Sequence, residues 1–303
     1  MKVAVHISDC DGICSAALVL RKYPHAEIDF HSNQSILSSQ EPYDLVIDLP
    51  KPINARVNID HHYTNLERLK KEGRLDNEDI IDPKAPSAAS VLINYLNLNN
   101  DPIAKELVEM ANLTDTGNFT EELLKLDKII KASQNDTDFL YYLAKVLSEK
   151  GKRVFDDKKV QERWAKIQAE FNRLREKLQK LADSVVITDF MIVDERMVVP
   201  YYLAKDMAYY LFERGAKVVA LFYDDPGLNE TYRVKCSLRV AKDYDFDARQ
   251  VAEKFGGGGH TKAAGIPFKD VILALTNIVS EFANLSPNGQ VAYVRIRKEH
   301  LRG

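Results

Sequence analysis

Four short stretches of this 303-residue chain place carboxylates and imidazoles close together. The first is His6-Ile-Ser-Asp9-Cys-Asp11-Gly12, with three candidate metal ligands in one loop. The second is Asp48, at the end of the apolar run that begins at Asp44. The third is Asp60-His61-His62, directly after Arg56-Val-Asn-Ile. The fourth is Asp115, within Thr114-Asp115-Thr116-Gly117. Each has an ordinary structural reading when taken alone. Asp9 or Asp11 would cap a helix, Asp48 and Asp115 would sit in turns, and the two histidines would lie on the surface. Gathered in one place, four such carboxylates would repel one another strongly without cations. Mixed imidazole and carboxylate ligation suits Mn²⁺, whereas Mg²⁺ prefers oxygen alone.

The elements needed to gather them are legible in the hydrophobic pattern. Lys2–His6, Ile28–His31, Asp44–Leu49 and Arg56–Asp60 read as strands, and Ile13–Arg21 reads as a helix. Further helices are expected at Ser87–Tyr95, Pro102–Asn112, Glu121–Lys131 and Asp138–Lys150, which leaves Asp115 just beyond a helix. Strands alternating with helices predict an α/β fold with a parallel sheet. Functional groups in such a sheet collect beyond the carboxyl ends of the strands.

The character of the chain changes near Lys150. Between Lys152 and Leu181, Trp164, Ile167, Phe171, Leu174, Leu178 and Leu181 recur at steps of three and four, the stripe of one long helix. The stripe packs on the chain's own domains or forms a dimer seam of coiled-coil type. Beyond it a second, smaller α/β domain is expected. Its strands lie in Val-Val-Ile-Thr-Asp-Phe (185–190), 191–199, Lys217–Tyr223 and Thr231–Val240, with a helix at Tyr201–Arg214. The glycine run Gly256–Gly259 follows and ends in His260. The expected division is residues 1–150, a connecting helix at 151–182, and residues 183–303.

Composition narrows the partners. Forty-two basic residues face 45 acidic ones, for a net charge of −3. That balance argues against a globally basic protein that coats DNA. Three cysteines without a Cys-x-x-Cys pair suggest neither a disulfide framework nor a zinc ribbon. No apolar run reaches the length of a membrane span, so a cytoplasmic protein without membrane association is expected.

At these residues the chain resembles the DHH phosphoesterases. Asp60-His61-His62 is the string that names that family. His6-x-x-Asp9-x-Asp11-Gly12, Asp48 and the Thr-Asp-Thr-Gly around Asp115 match its other amino-terminal motifs in order. Gly256–His260 matches the glycine-histidine motif of its associated carboxyl-terminal domain. The resemblance implies two Mn²⁺ ions, with Mg²⁺ or Co²⁺ as substitutes. His6, Asp9 and Asp48 would hold one, and Asp11, Asp48, His61 and Asp115 the other, with Asp48 as the bridge. It also implies that Asp60 orients a histidine and that His62 lies near the scissile phosphate. Arg239, Gly257, Gly258, Gly259 and His260 would hold the substrate. The spacing from His6 to Asp9 is one residue shorter than in bacterial nanoRNases and resembles RecJ-type and archaeal members.

The activity so implied is a Mn²⁺-dependent phosphodiesterase or exonuclease that releases mononucleotides from short single-stranded RNA or DNA by two-metal hydrolysis. Cleavage of a cyclic dinucleotide, of its linear product pApA or of 3′-phosphoadenosine phosphate is the alternative. A non-catalytic nucleic-acid scaffold is a third reading, against which the retention of every ligand position speaks. The helical stripe leaves a homodimer open.

Overall fold

The computed structural model describes residues 1–225 and 234–301. The chain is an α/β protein of two compact units, Met1–Ile167 and Gln168–Gly303.

The first unit opens with β1 (Lys2–His6), α1 (Cys10–Lys22), β2 (Glu27–His31), α2 (Asn33–Leu37), β3 (Tyr43–Ile47) and β4 (Ala55–Asp60). It continues with α3 (Tyr63–Glu72), β5 (Ile80–Ile81), α4 (Ala88–Tyr95), α5 (Pro102–Asp115), α6 (Glu121–Ala132) and α7 (Thr137–Lys150). All five strands are parallel, in the order β2-β1-β3-β4-β5. Val3, Ala4 and Val5, and Leu45, Val46 and Ile47, are fully buried, as parallel strands covered on both faces must be. Strand order reverses between β1 and β3, and the ends of those strands frame the crevice where α/β sheets bind ligands. The core joins the apolar faces of α1, α4, α5 and α7 to the sheet through Ile13, Leu18, Leu92, Leu107 and Leu143.

A 3₁₀ turn (Gly151–Asp156) leads into the long helix α8 (Lys158–Ser184), and the two units divide within α8. Trp164 and Ile167 pack on the first unit's core, while Phe171, Leu174 and Leu178 are buried. That part of the stripe is covered by the chain itself, which removes it as a seam for a second copy.

The second unit comprises β6 (Phe190–Asp194), α9 (Asp206–Glu213), β7 (Val218–Tyr223), β8 (Val234–Val240), α10 (Ala248–Lys254), β9 (Gly258–His260), β10 (Ala263–Phe268), α11 (Val271–Leu285), β11 (Val291–Arg295) and α12 (Lys298–Leu301). Its mixed sheet runs β11-β6-β7-β8-β10-β9. Alternate residues Ile192, Ala220, Leu238 and Ile266 form a core with Ala248 and Val251 of α10 and with Ile278 and Phe282 of α11.

Several elements differ from the sequence expectation. Residues 185–189 are not strand, because the sheet begins only at Phe190. β6 stops at Asp194, and the stretch after it turns back through Met197, which has φ 61°. The helix expected at Tyr201–Arg214 is broken by Lys205, whose φ of 83° ends a short 3₁₀ turn before α9. Within the expected strand Thr231–Val240, residues 231–233 lie outside the described residues. Among the described residues, no helix is long and apolar enough to cross a membrane.

Candidate metal centre

Asp9 caps α1, accepting the Gly12 N–H on Oδ1 at 3.1 Å. Its other oxygen lies 2.7 Å from His6 Nδ1. Gly12 is required here, because a Cβ would stand 2.0 Å from the His6 carbonyl oxygen. The start of α1 therefore presses against the end of β1 and brings His6, Asp9 and Asp11 together.

Asp11 points the other way. Its oxygens accept from the backbone N–H groups of Ala88 (2.7 Å) and Ala89 (2.9 Å), at the start of α4. A helix amino terminus favours a carboxylate there. Asp115 is the last residue of α5, not a residue beyond it. A carboxylate at a helix carboxyl end opposes the helix dipole, so local stability does not explain its placement.

Asp48 follows the last residue of β3 and adopts φ 55°, a left-handed conformation that a non-glycine residue takes at a cost. Its Oδ2 lies 3.4 Å from His6 Nδ1. Its Oδ1 lies 3.8 Å from His61 Nε2 and 3.5 Å from His62 Nδ1. That buried Oδ1 makes no hydrogen bond among the described residues. The segment after Asp48 is held from α3 and the residues just beyond it: Arg68 and Arg74 donate to the Lys51 carbonyl at 3.0 and 3.2 Å. The buried Lys51 ammonium in turn reaches Asp76 and Asp79 at 2.7 and 2.8 Å.

The three residues of the Asp-His-His string occupy different positions. Asp60 is fully buried, and Oδ1 accepts from the His61 and His62 backbone N–H groups (2.7 and 3.1 Å) and from His62 Nδ1 (2.8 Å). Its Oδ2 accepts from Asn65. With its lone pairs so committed, Asp60 holds the His62 ring in place. His61 Nδ1 lies 3.2 Å from the Ala85 carbonyl, which can only accept, so Nδ1 carries the proton. His61 Nε2 then faces Asp11 (3.8 Å), Asp48 (3.8 Å) and Asp115 (3.3 Å). A histidine anchored through one nitrogen and turned towards carboxylates with the other is arranged as metal-ligating histidines are.

Among the clusters with ligand atoms within 4.8 Å of one another are His6, Asp9 and Asp48; Asp11, His61 and Asp115; and Asp48, Asp60, His61 and His62. The titration behaviour reflects their crowding. Burial and the charges of Asp48, Asp115 and Asp9 hold Asp11 well above the usual carboxylate range. Burial, Asp48 and Asp9 push Asp115 up to about 8. Burial and the neighbouring His62 lower His61, which favours the neutral ring. Burial would lower His62, but the Asp60 carboxylate prevails and raises it to about 10. Burial is likewise outweighed at His6 by Asp9 and Asp48, and at Asp9 by His6, so that pair is held ionised. Carboxylates that retain protons because they are buried and face one another, and a buried carboxylate oxygen without a hydrogen bond among the described residues, fit divalent cations of the hard or borderline kind.

In the second unit, Arg239 of β8 and His260 of β9 are both in register with Ala263 of β10. The three share one row across the sheet and therefore one face. Arg239 Nε is buried without a hydrogen bond among the described residues, and His260 is exposed. The glycine run has a packing cause. A Cβ on Gly257 would meet the Gly265 carbonyl oxygen at 2.2 Å, and one on Gly259 would meet that of Ala263 at 2.6 Å. Gly258 pairs with Gly265.

The sequence reading missed Asn65, the Ala85 carbonyl and Asn58. Asn58 alone left a signal, a polar side chain inside an otherwise apolar strand run.

Residues 203–285 match the DHHA1 domain family. No curated protein matches the sequence. Among solved structures, the chain resembles PggH from Vibrio cholerae, described as a pGpG-specific phosphodiesterase, at 18% identity and a TM-score of 0.60. That match covers 92% of this chain and 99% of PggH. It also resembles an exopolyphosphatase-related protein from Bacteroides fragilis, at 14% identity and a TM-score of 0.53, covering 94% of this chain and 92% of that one. These likenesses establish the fold. The DHHA1 match over residues 203–285 and the likeness in two-unit fold agree with the resemblance to the DHH phosphoesterases carried by the ordered amino-terminal motifs.

Proposed function

We propose that this protein is a metal-dependent phosphoesterase that hydrolyses phosphodiester bonds in short oligonucleotides or linear dinucleotides, using two Mn²⁺ ions. The observation that carries the reading is Asp48, whose two oxygens face His6 on one side and His61 on the other. His6, Asp9 and Asp48 would hold one cation, and Asp11, Asp48, His61 and Asp115 the second. Bound divalent cations would acidify a water molecule and neutralise charge on the phosphoryl oxygens.

The chain's own groups supply the remainder. Asp60 holds His62 by Nδ1 on its buried side, so the partly exposed edge of the ring is the one a substrate reaches. From there the imidazolium donates a hydrogen bond to a phosphoryl oxygen or to the leaving group. In the second unit, Arg239 and His260 would bind substrate, Arg239 by a bidentate contact with phosphate.

The pGpG-specific description of PggH favours linear dinucleotides among the substrates, and the acidic balance of the chain favours few phosphate contacts over a long binding track. The test is a product time course with Mn²⁺ on labelled pGpG, pApA and RNA and DNA of two to twenty nucleotides. Cyclic dinucleotides, 3′-phosphoadenosine phosphate and polyphosphate are run beside them. Fastest release of mononucleotides from the shortest linear substrates is expected. Turnover confined to polyphosphate, or absent with every substrate, would overturn the reading.

A further inference from the structure

Asn58 lies within β4, two residues before Asp60, and is fully buried. Its Nδ2 donates to the Val46 carbonyl at 3.1 Å and to the Leu49 carbonyl at 3.0 Å. Those carbonyls stand on either side of Asp48, at the point where the backbone leaves β3 with φ 55°. The orientation of the amide follows from its partners, since turning it over would set Oδ1 against two carbonyl oxygens. Its Oδ1 is buried and makes no hydrogen bond among the described residues. A side chain kept only for stability need not carry that penalty, because an apolar residue of similar shape would avoid it.

The rest of the surroundings holds the same bend. The Asp48 N–H donates to the Ile59 carbonyl at 3.0 Å. The Asn58 N–H donates to Asp79 Oδ1 at 2.8 Å, and the same carboxylate binds Lys51. Asn58 is the one side chain among these that spans the bend itself. A regular strand would continue the alternation of β3, turn the Asp48 side chain elsewhere and leave the Leu49 carbonyl to find another donor.

We propose that Asn58 is a positioning residue: by clasping the carbonyls of Val46 and Leu49 it fixes the left-handed bend that lets the two oxygens of Asp48 face His6 and His61 at once. It touches neither substrate nor cation and acts through Asp48. The inference rests on the two-metal reading of the centre. It deepens that reading by assigning the bridge geometry to a residue outside the ligand set.

The test compares Asn58→Leu, which removes both donors at similar size, and Asn58→Ser, which keeps one short donor. Val57→Ala, a buried neighbour in β4, serves as the control for lost stability. Mn²⁺ binding is measured by calorimetry and by counting bound ions with electron paramagnetic resonance. Initial rates on bis-p-nitrophenyl phosphate are taken as Mn²⁺ is varied. Asn58→Leu is expected to weaken Mn²⁺ binding by about tenfold or more and to lower kcat at saturating Mn²⁺, with KM little changed. Val57→Ala, at a comparable drop in melting temperature, should bind Mn²⁺ like the wild type. Wild-type Mn²⁺ affinity and kcat in a folded Asn58→Leu protein would overturn the inference, as would an equal loss in Val57→Ala. If Asn58→Leu does not fold, Asn58→Ser is judged by the same two outcomes. Failure of the wild-type protein to bind Mn²⁺ would overturn the two-metal reading and this inference together. Two ions bound equally well by the wild type and the Asn58 variants would overturn this inference alone.

Discussion

His62 Nδ1 donates to Asp60 Oδ1 across 2.8 Å, inside a string of three residues whose middle member faces a different set of carboxylates. This pairing separates His61, the candidate ligand, from His62, the histidine held as a cation. It raises His62 to about 10, against the pull of burial. The folded value lies above the unfolded one, so the pair's contribution to stability is complete below about pH 6.5 and is lost as pH rises through about 10. In Asp60→Asn the partly buried ring loses its counter-charge and should titrate near or below its ordinary value. Nitrogen-detected imidazole spectra across pH report this directly, and an unchanged His62 titration in the variant would remove the pairing as its cause. Turnover should fall by about 10²-fold, the lower end of what a positioned acid or base contributes.

Asp48→Ala should abolish nearly all turnover and reduce the Mn²⁺ stoichiometry, because the same carboxylate faces both ligand groups. The spacing of the two ions, read from a Mn²⁺-soaked crystal, should be roughly 3.5–4 Å. Wild-type rates in Asp48→Ala would remove the bridge from the mechanism.

Cation binding should stabilise the fold more as pH rises. Asp11 is held well above the carboxylate range and Asp115 at about 8, both first by burial and then by their acidic neighbours. Between about pH 4 and about pH 8 the folded protein thus binds more protons at these sites than the unfolded chain, and its stability falls as pH rises. Bound cations remove that penalty. The Mn²⁺-induced rise in melting temperature should be larger near pH 8 than near pH 5.5 at saturating metal. A rise that shrinks with pH would contradict this origin.

Arg239→Ala and His260→Ala should fold and bind Mn²⁺ normally, since both residues lie in the second unit's sheet. Activity on dinucleotides should drop about tenfold or more, from charge-assisted contacts worth about 1.5–3 kcal/mol each. Hydrolysis of bis-p-nitrophenyl phosphate should suffer less. Equal, small effects on both substrates would leave the two residues without a part in binding.

The glycine run should divide by position. Gly259→Ala forces a side chain into φ 138° and against the Ala263 carbonyl, and should lower stability by about 1–3 kcal/mol. Gly256, at φ 74° with open space around it, should lose less. Denaturant melts of the two variants distinguish a packing demand from a purely ligand-facing one.

The sequence by itself determined the parallel α/β first unit, because strands buried on both faces read as short unbroken apolar runs, as in Val3-Ala4-Val5 and Leu45-Val46-Ile47. It also brought out the carboxylates and imidazoles, whose residue types are unusual at strand ends. Tertiary structure decided how those groups are oriented. No local pattern separates Asp60, saturated by four donors from its own loop and from Asn65, from Asp48, left with a buried oxygen that makes no hydrogen bond among the described residues. Both simply end apolar strands. The helix bearing Asp115 runs three residues past its expected end, its last turn closed by the Thr114 hydroxyl on the Met110 and Ala111 carbonyls and tied to the start of α4 by Ser87, which donates to Asn112. The glycines before His260 read equally well as a ligand loop or as a close crossing of strands. The approach of β10 to β9, a pairing that the chain makes only on folding, supplies the second reason.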